Sequence, residues 1–217
     1  MVTLAEDLYL LAVDGTTGRP LIEVTHLNLG LGGALLLDLA LRHRVALVDA
    51  HVTATGEAPT GDPLLDAALA AIAGEARAHG PDHWVRHLTR GARHAVKHRL
   101  IDAGVLRRDD HKILRVISVH RTHEADGRLH HELVDHLYGA VVLGHQPATE
   151  TAAVASLALA VGLEPHLFPR SDRRAIKRRM VEVAGTCSDG EWVGTAVAPA
   201  VNAVDATMGI TPPGALS

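Results

Sequence analysis

Five cations crowd one stretch of the chain, "LEPHLFPRSDRRAIKRRM" at residues 163–180. Arg170, Arg173, Arg174, Lys177 and Arg178 stand at i, i+3, i+4, i+7 and i+8, which puts all five on one side of one helix. Leu167 and Phe168 precede them between two prolines, and Phe168 is the only Phe in the chain. An apolar tip beside a basic helical face suits a peripheral membrane site. Apolar side chains enter the interface there, while each cation adds roughly 1 kcal/mol near anionic lipid. The plainer alternative has Leu167 and Phe168 stapling the helix to the core, with the cations only solvating its outer face.

Other residues able to do chemistry assemble less well. His83/His87 and His94/His98 are i,i+4 pairs on a segment that also carries Arg90 and Lys97. Each pair supplies only two metal ligands, with cations between the pairs. A solvated face titrating near pH 6 is therefore expected rather than a metal centre. In "HHELVDH", His131 and His136 are five residues apart, about 500° around a helix, so they leave a common face. Cys187 is the lone cysteine; it has no base beside it, and neither a G-x-S-x-G turn nor a phosphate loop occurs. No catalytic residue, metal or cofactor is expected, and a chain without a disulfide suits a reducing compartment.

The glycines of "GLGGALLLDLALRHR" (30–44) give G-x-G at Gly30 and Gly32, with Asp49 placed like a ribose-binding acid. Leu35 occupies the third fingerprint position, and no alternation of strand and helix follows, so a dinucleotide site fails on context. The segment reads instead as a buried helix over 27–44, too short to span a bilayer.

Positioning these residues takes a mainly helical framework. Helices are expected over 3–13, 63–78, 81–103, 129–143, 148–162, 170–184 and 189–206. Short strands are expected at "RVALVD" and at 112–119, the latter pairing near Val105–Leu106. With 2% aromatic residues, the core of this 217-residue chain must come from Leu, Val, Ala and Ile. The expected fold is mainly α: one globular domain over 1–217 with buried central helices, amphipathic helices around them and a small β-hairpin. Residues 207–217 are expected to form a flexible tail. The N-terminus lacks the basic start and cleavage site of a secretory signal, and a cytoplasmic protein is expected. A net charge of −4 argues against general nucleic-acid binding. A wing around Arg107, Arg108, Lys112 and Arg115 nonetheless leaves a winged-helix nucleic-acid binder as an alternative.

Several segments together resemble the Golgi phosphoprotein 3 family of phosphatidylinositol-4-phosphate adaptors, in its bacterial form. They are "LAEDLYLLAVDGTTGRP", "GLGGALLLDLALRHRVAL", "HRLIDAGVLRRDDHKIL", "FPRSDRRAIKRRM" and "WVGTAVAPAVNAV", in the family's order across nearly the whole chain. The resemblance implies a non-enzymatic adaptor on membranes, bound to anionic phospholipid; it leaves the protein partners open, and no nucleic-acid partner is expected given the net charge. The family's headgroup pocket uses a tryptophan and three arginines, which fall near Glu23, Gly32, Ala148 and Thr151. None is the required type, and loss of three cations disfavours a phosphorylated inositol. A small-molecule binder or enzyme using that altered pocket is the alternative reading. The family's membrane-facing apolar hairpin aligns with Leu163–Asp172, shortened, and coincides with the basic face.

Overall fold

The computed structural model describes residues 2–56, 58–113, 117–125 and 127–208, in which ten helices and two hairpins follow one another. The N-terminal part runs α1 (Leu4–Leu11), α2 (Val24–Leu41), β1 (Val45–Val48), β2 (His51–Ala54), α3 (Pro63–Ala73), α4 (Pro81–Leu88) and α5 (Ala92–Asp102). It continues with β3 (Leu106–Ile113), β4 (Ile117–Glu124), α6 (Arg128–Val141), α7 (Thr149–Ala160), α8 (Glu164–Leu167), α9 (Arg173–Ala184) and α10 (Ser188–Met208). The mainly α architecture is as expected from the sequence.

Helix α2 is apolar around almost its whole circumference, and such a helix must be covered on every side. Helices α1, α4, α7 and α10 cover it. Its three glycines admit them. A Cβ on Gly30 would overlap Val161 and Leu8, one on Gly32 the Val85 carbonyl oxygen, and one on Gly33 the Val197 side chain. The 18 residues of α2 have a mean hydropathy of 1.4, enough in length and composition to cross a membrane, contrary to the expectation of a shorter run. Its central, enclosed place among the other helices accounts for that apolarity.

Local chemistry starts the helices where the sequence signals them. Thr3 and Glu6 form a reciprocal capping box on α1, and Asp62 with Pro63 opens α3. The helix expected over 81–103 is two helices. Gly91 adopts φ +74, which only glycine tolerates readily, and the chain turns there between α4 and α5. The strand expected over 112–119 is likewise divided. Leu106 pairs with Glu124 and Ile113 with Ile117 in an antiparallel hairpin, so the partner of the second strand is the whole of β3. A second hairpin, β1–β2, was not anticipated. Helix α10 continues through Met208, so residues 207 and 208 of the expected tail are helical, and 209–217 lie outside the described residues.

Candidate functional site

Asp172 accepts hydrogen bonds from the Arg174 and Ala175 amides and so starts α9. Ile176, Met180 and Val183 face the core, which turns Arg173, Arg174, Lys177 and Arg178 outward. Arg170 lies before the helix and is also exposed, so it shares the surface but not the helical face predicted for it. None of the five forms an ion pair among the described residues. Val181, 53% exposed, lies on the same side of the helix.

The apolar tip is placed differently from the sequence reading. Phe168 is buried at 6% exposure, and Leu167 is half-buried against the core. Both staple α8 and α9 to the body of the protein, the plainer alternative above; an aromatic ring gains more from the core than from water beside a short helix. The segment Leu163–Asp172 is not a shortened hairpin but α8 and a turn. The long hairpin of the chain is β3–β4. Apolar side chains are exposed instead at the end of α6, at Tyr138, Val142 and Leu143, near the Arg179 guanidinium that approaches Gly144.

The four positions aligned with the family pocket do not meet. Glu23 caps α2 and lines a groove at the C-terminal end of α7. Ala148 and Thr151 lie at the opposite end of that helix, whose 12 residues span about 18 Å. Gly32 is enclosed against the α4 backbone, where an arginine side chain has no room.

Thr151 lines a cavity of about 140 Å³ with Asp7, His136 and Glu150. Burial, then the neighbouring carboxylates of Glu6, Asp38 and Glu150, push the Asp7 carboxyl up to about 7. Next to it, Arg99 bridges Glu6 at 3.1 Å and Asp62 at 2.6 Å, tying α5 to α1 and to the start of α3. Burial opposes ionisation of Asp62, yet the Arg99 hydrogen bond and the helix-start amides hold its carboxyl below the usual range.

The histidine pairs fall on separate short helices. His83 stacks on His79 with centroids 3.7 Å apart, while His87 and His83 flank the buried Trp84 ring. Burial first, and then His79 and His87, lower the His83 pKa. Trp84 forms part of a cavity of about 830 Å³ between β2, α3 and residues 75–78, and its buried Nε1 has no hydrogen-bond partner. His94 and His98 lie 4.3 Å apart on α5. Among the described residues no three His, Cys, Asp or Glu side chains converge on a metal position. Arg86, Arg90 and Arg93, on α4, in the turn after it and on α5, are also exposed. Cys187 is buried, accepts from the Gly190 amide at 3.3 Å and has its thiol pKa raised by burial, so its role is packing.

One feature had no sequence signal. Helices α7, α9 and α10 enclose a groove of about 820 Å³, walled by Ile22, Leu159, Val161, Val181 and Val201. Its polar margin carries Glu23, Glu164, Lys177 and a pair formed by His26 Nε2 and Asp205 Oδ1, 3.0 Å apart. That approach is an ion pair when His26 is protonated, although its geometry is not that of a hydrogen bond.

These features define a mainly helical protein with an apolar central helix and exposed cationic helix faces. Residues 4–204 match the family model described as Golgi phosphoprotein 3 (GPP34), and the chain belongs to that family. A search of curated proteins found no match.

Proposed function

We propose that this chain is a non-enzymatic, peripheral membrane adaptor that binds anionic phospholipid through Arg170, Arg173, Arg174, Lys177 and Arg178. Family membership supports the adaptor class. The single observation that carries the lipid reading is that all five cations are exposed and free of ion pairs among the described residues, around an exposed Val181. At roughly 1 kcal/mol per cation, five give a modest, reversible attraction of about 5 kcal/mol. With Phe168 in the core, little apolar insertion adds to it at this face. Binding to the cytoplasmic face of a membrane is then chiefly electrostatic and sharply weakened by salt. A phosphatidylinositol 4-phosphate site at Glu23, Gly32, Ala148 and Thr151 has no support in their positions, so the reading is of anionic lipid as a class.

Flotation with vesicles of fixed size tests it. Binding should rise with anionic lipid content, fall with salt and drop in the Arg173→Ala, Arg174→Ala double variant. Persistence of binding in that variant, with loss in Arg90→Ala, Arg93→Ala, would move the interface to the turn before α5 and its first residues and refute the assignment to α9. A gel shift at physiological salt addresses the nucleic-acid alternative. A second reading, small-molecule binding, is favoured by one observation: Glu23 borders the groove between α7, α9 and α10.

A further inference from the structure

The groove between α7, α9 and α10 has a chemistry distinct from the cationic face it adjoins. At about 820 Å³ it falls in the size range of small-molecule sites, and its walls are aliphatic. Two opposite charges project from its margin without neutralising each other. Glu164 Oε2 is shut off from solvent and accepts no hydrogen bond, a costly state for a carboxylate oxygen. Lys177 lines the same groove and forms no ion pair among the described residues. The remaining acids there are engaged: Glu23 caps its own helix by accepting from the Val24 amide at 3.1 Å, and Asp205 faces His26.

We infer that this groove binds an aminophospholipid, a zwitterionic amphiphile with a primary ammonium and a phosphate on an apolar chain. The ammonium donates to the Glu164 carboxylate, the phosphate meets Lys177, and an acyl chain lies along Leu159, Val161, Val181 and Val201. A primary ammonium fits better than a choline group. Both are cations, but only the first has N–H bonds to give an acceptor that has none. Lys177 and Val181 belong to both the groove and the exposed face of α9, so the groove opens where that face would meet lipid. The source of the ligand therefore rests on the membrane reading above; the site does not.

The test uses the full chain in solution without vesicles. Short-chain phosphatidylethanolamine and phosphatidylcholine, each below its aggregation concentration, are titrated by calorimetry. The ethanolamine lipid should bind about tenfold more tightly, the scale of one charge-assisted hydrogen bond, and Glu164→Gln should remove most of that preference. Ala198→Phe, which fills the groove, should abolish binding of both lipids. If that variant fails to fold, Lys177→Ala on the exposed face serves instead and should weaken both. Equal affinity for the two lipids, no binding of either, or an unchanged preference in Glu164→Gln overturns the inference. The two ideas fail separately. A chain that floats on anionic vesicles yet ignores the soluble ethanolamine lipid loses only the groove assignment. A chain that binds the soluble lipid but does not float keeps the groove and loses the membrane reading.

Discussion

Asp38 Oδ2 accepts a hydrogen bond from the Leu4 amide at 2.9 Å, joining the last turn of the apolar helix α2 to the first turn of α1. Its other oxygen takes the Arg42 Nε at 2.9 Å one turn along the same helix. The carboxylate is buried at 5% exposure, so both bonds are made away from competing water. It supplies an acceptor to an amide at a helix N-terminus, where backbone donors lack intrahelical partners. Asp38→Ala should therefore cost about 3 kcal/mol by stranding both donors, while Arg42→Ala should cost about 1 kcal/mol. Urea unfolding of the two variants measures the difference. Equal, small losses would show that the α1 contact contributes nothing.

Gly32 is a packing residue, and its substitution tests that directly. A Cβ there meets the Val85 backbone oxygen, which cannot swing aside as a side chain can. Gly32→Ala should destabilise by about 3 kcal/mol, the upper part of the usual range for overpacking. Gly56 has only the Arg44 guanidinium within reach, at 3.9 Å, so Gly56→Ala should be nearly neutral. Thermal unfolding of the pair would separate a close helix crossing from a general intolerance of added methyl groups.

Phe168 separates core from membrane contact. Phe168→Ala should lose about 3 kcal/mol of stability through the cavity it leaves, with vesicle binding kept at temperatures where the variant stays folded. Leu143→Ser, at 59% exposure, should leave stability unchanged. If Phe168→Ala weakened flotation while leaving unfolding untouched, the ring would have to leave the core to act.

What the sequence disclosed followed the strength of its local signals. Asp62-Pro63 marks a helix start by a side-chain hydrogen bond, and the structure uses it, whereas the helix expected from 170 starts only after Asp172. The apolar run around Gly30–Leu41 identified the central helix because little else can stay apolar on every side. Gly91 was present in the sequence, but a single glycine inside a helical pattern is often tolerated, so the break between α4 and α5 went unread. The cationic stripe on α9 was legible as a periodicity, yet the placement of Phe168 was not. Leu-Phe beside basic residues has the same composition whether it faces lipid or core. The groove was invisible for a different reason. Glu23, Glu164, Lys177 and Asp205 come from separate elements, and nothing in their spacing shows that they share one margin.

Asp7 gives the protein a stability that depends on pH in a defined direction. Its carboxyl has an ordinary value of 3.8 and is pushed up to about 7 in the fold, by burial first and then by Glu6, Asp38 and Glu150. His136 also faces it across the small cavity, where a proton on the imidazole would favour the ionised acid. Between these two values the folded state holds a proton that the unfolded chain has released. Stability contributed by neutral Asp7 is thus complete below pH 3.8 and lost as the pH rises through about 7. A shift of about 3 units corresponds to about 4 kcal/mol. Asp7→Asn keeps the shape of the neutral acid and removes the titration. It should unfold like the wild type at about pH 4 and be more stable by about 4 kcal/mol at about pH 8. Denaturant unfolding across that range measures the gap. A gap that does not open as the pH rises would mean that Asp7 ionises freely in the folded protein.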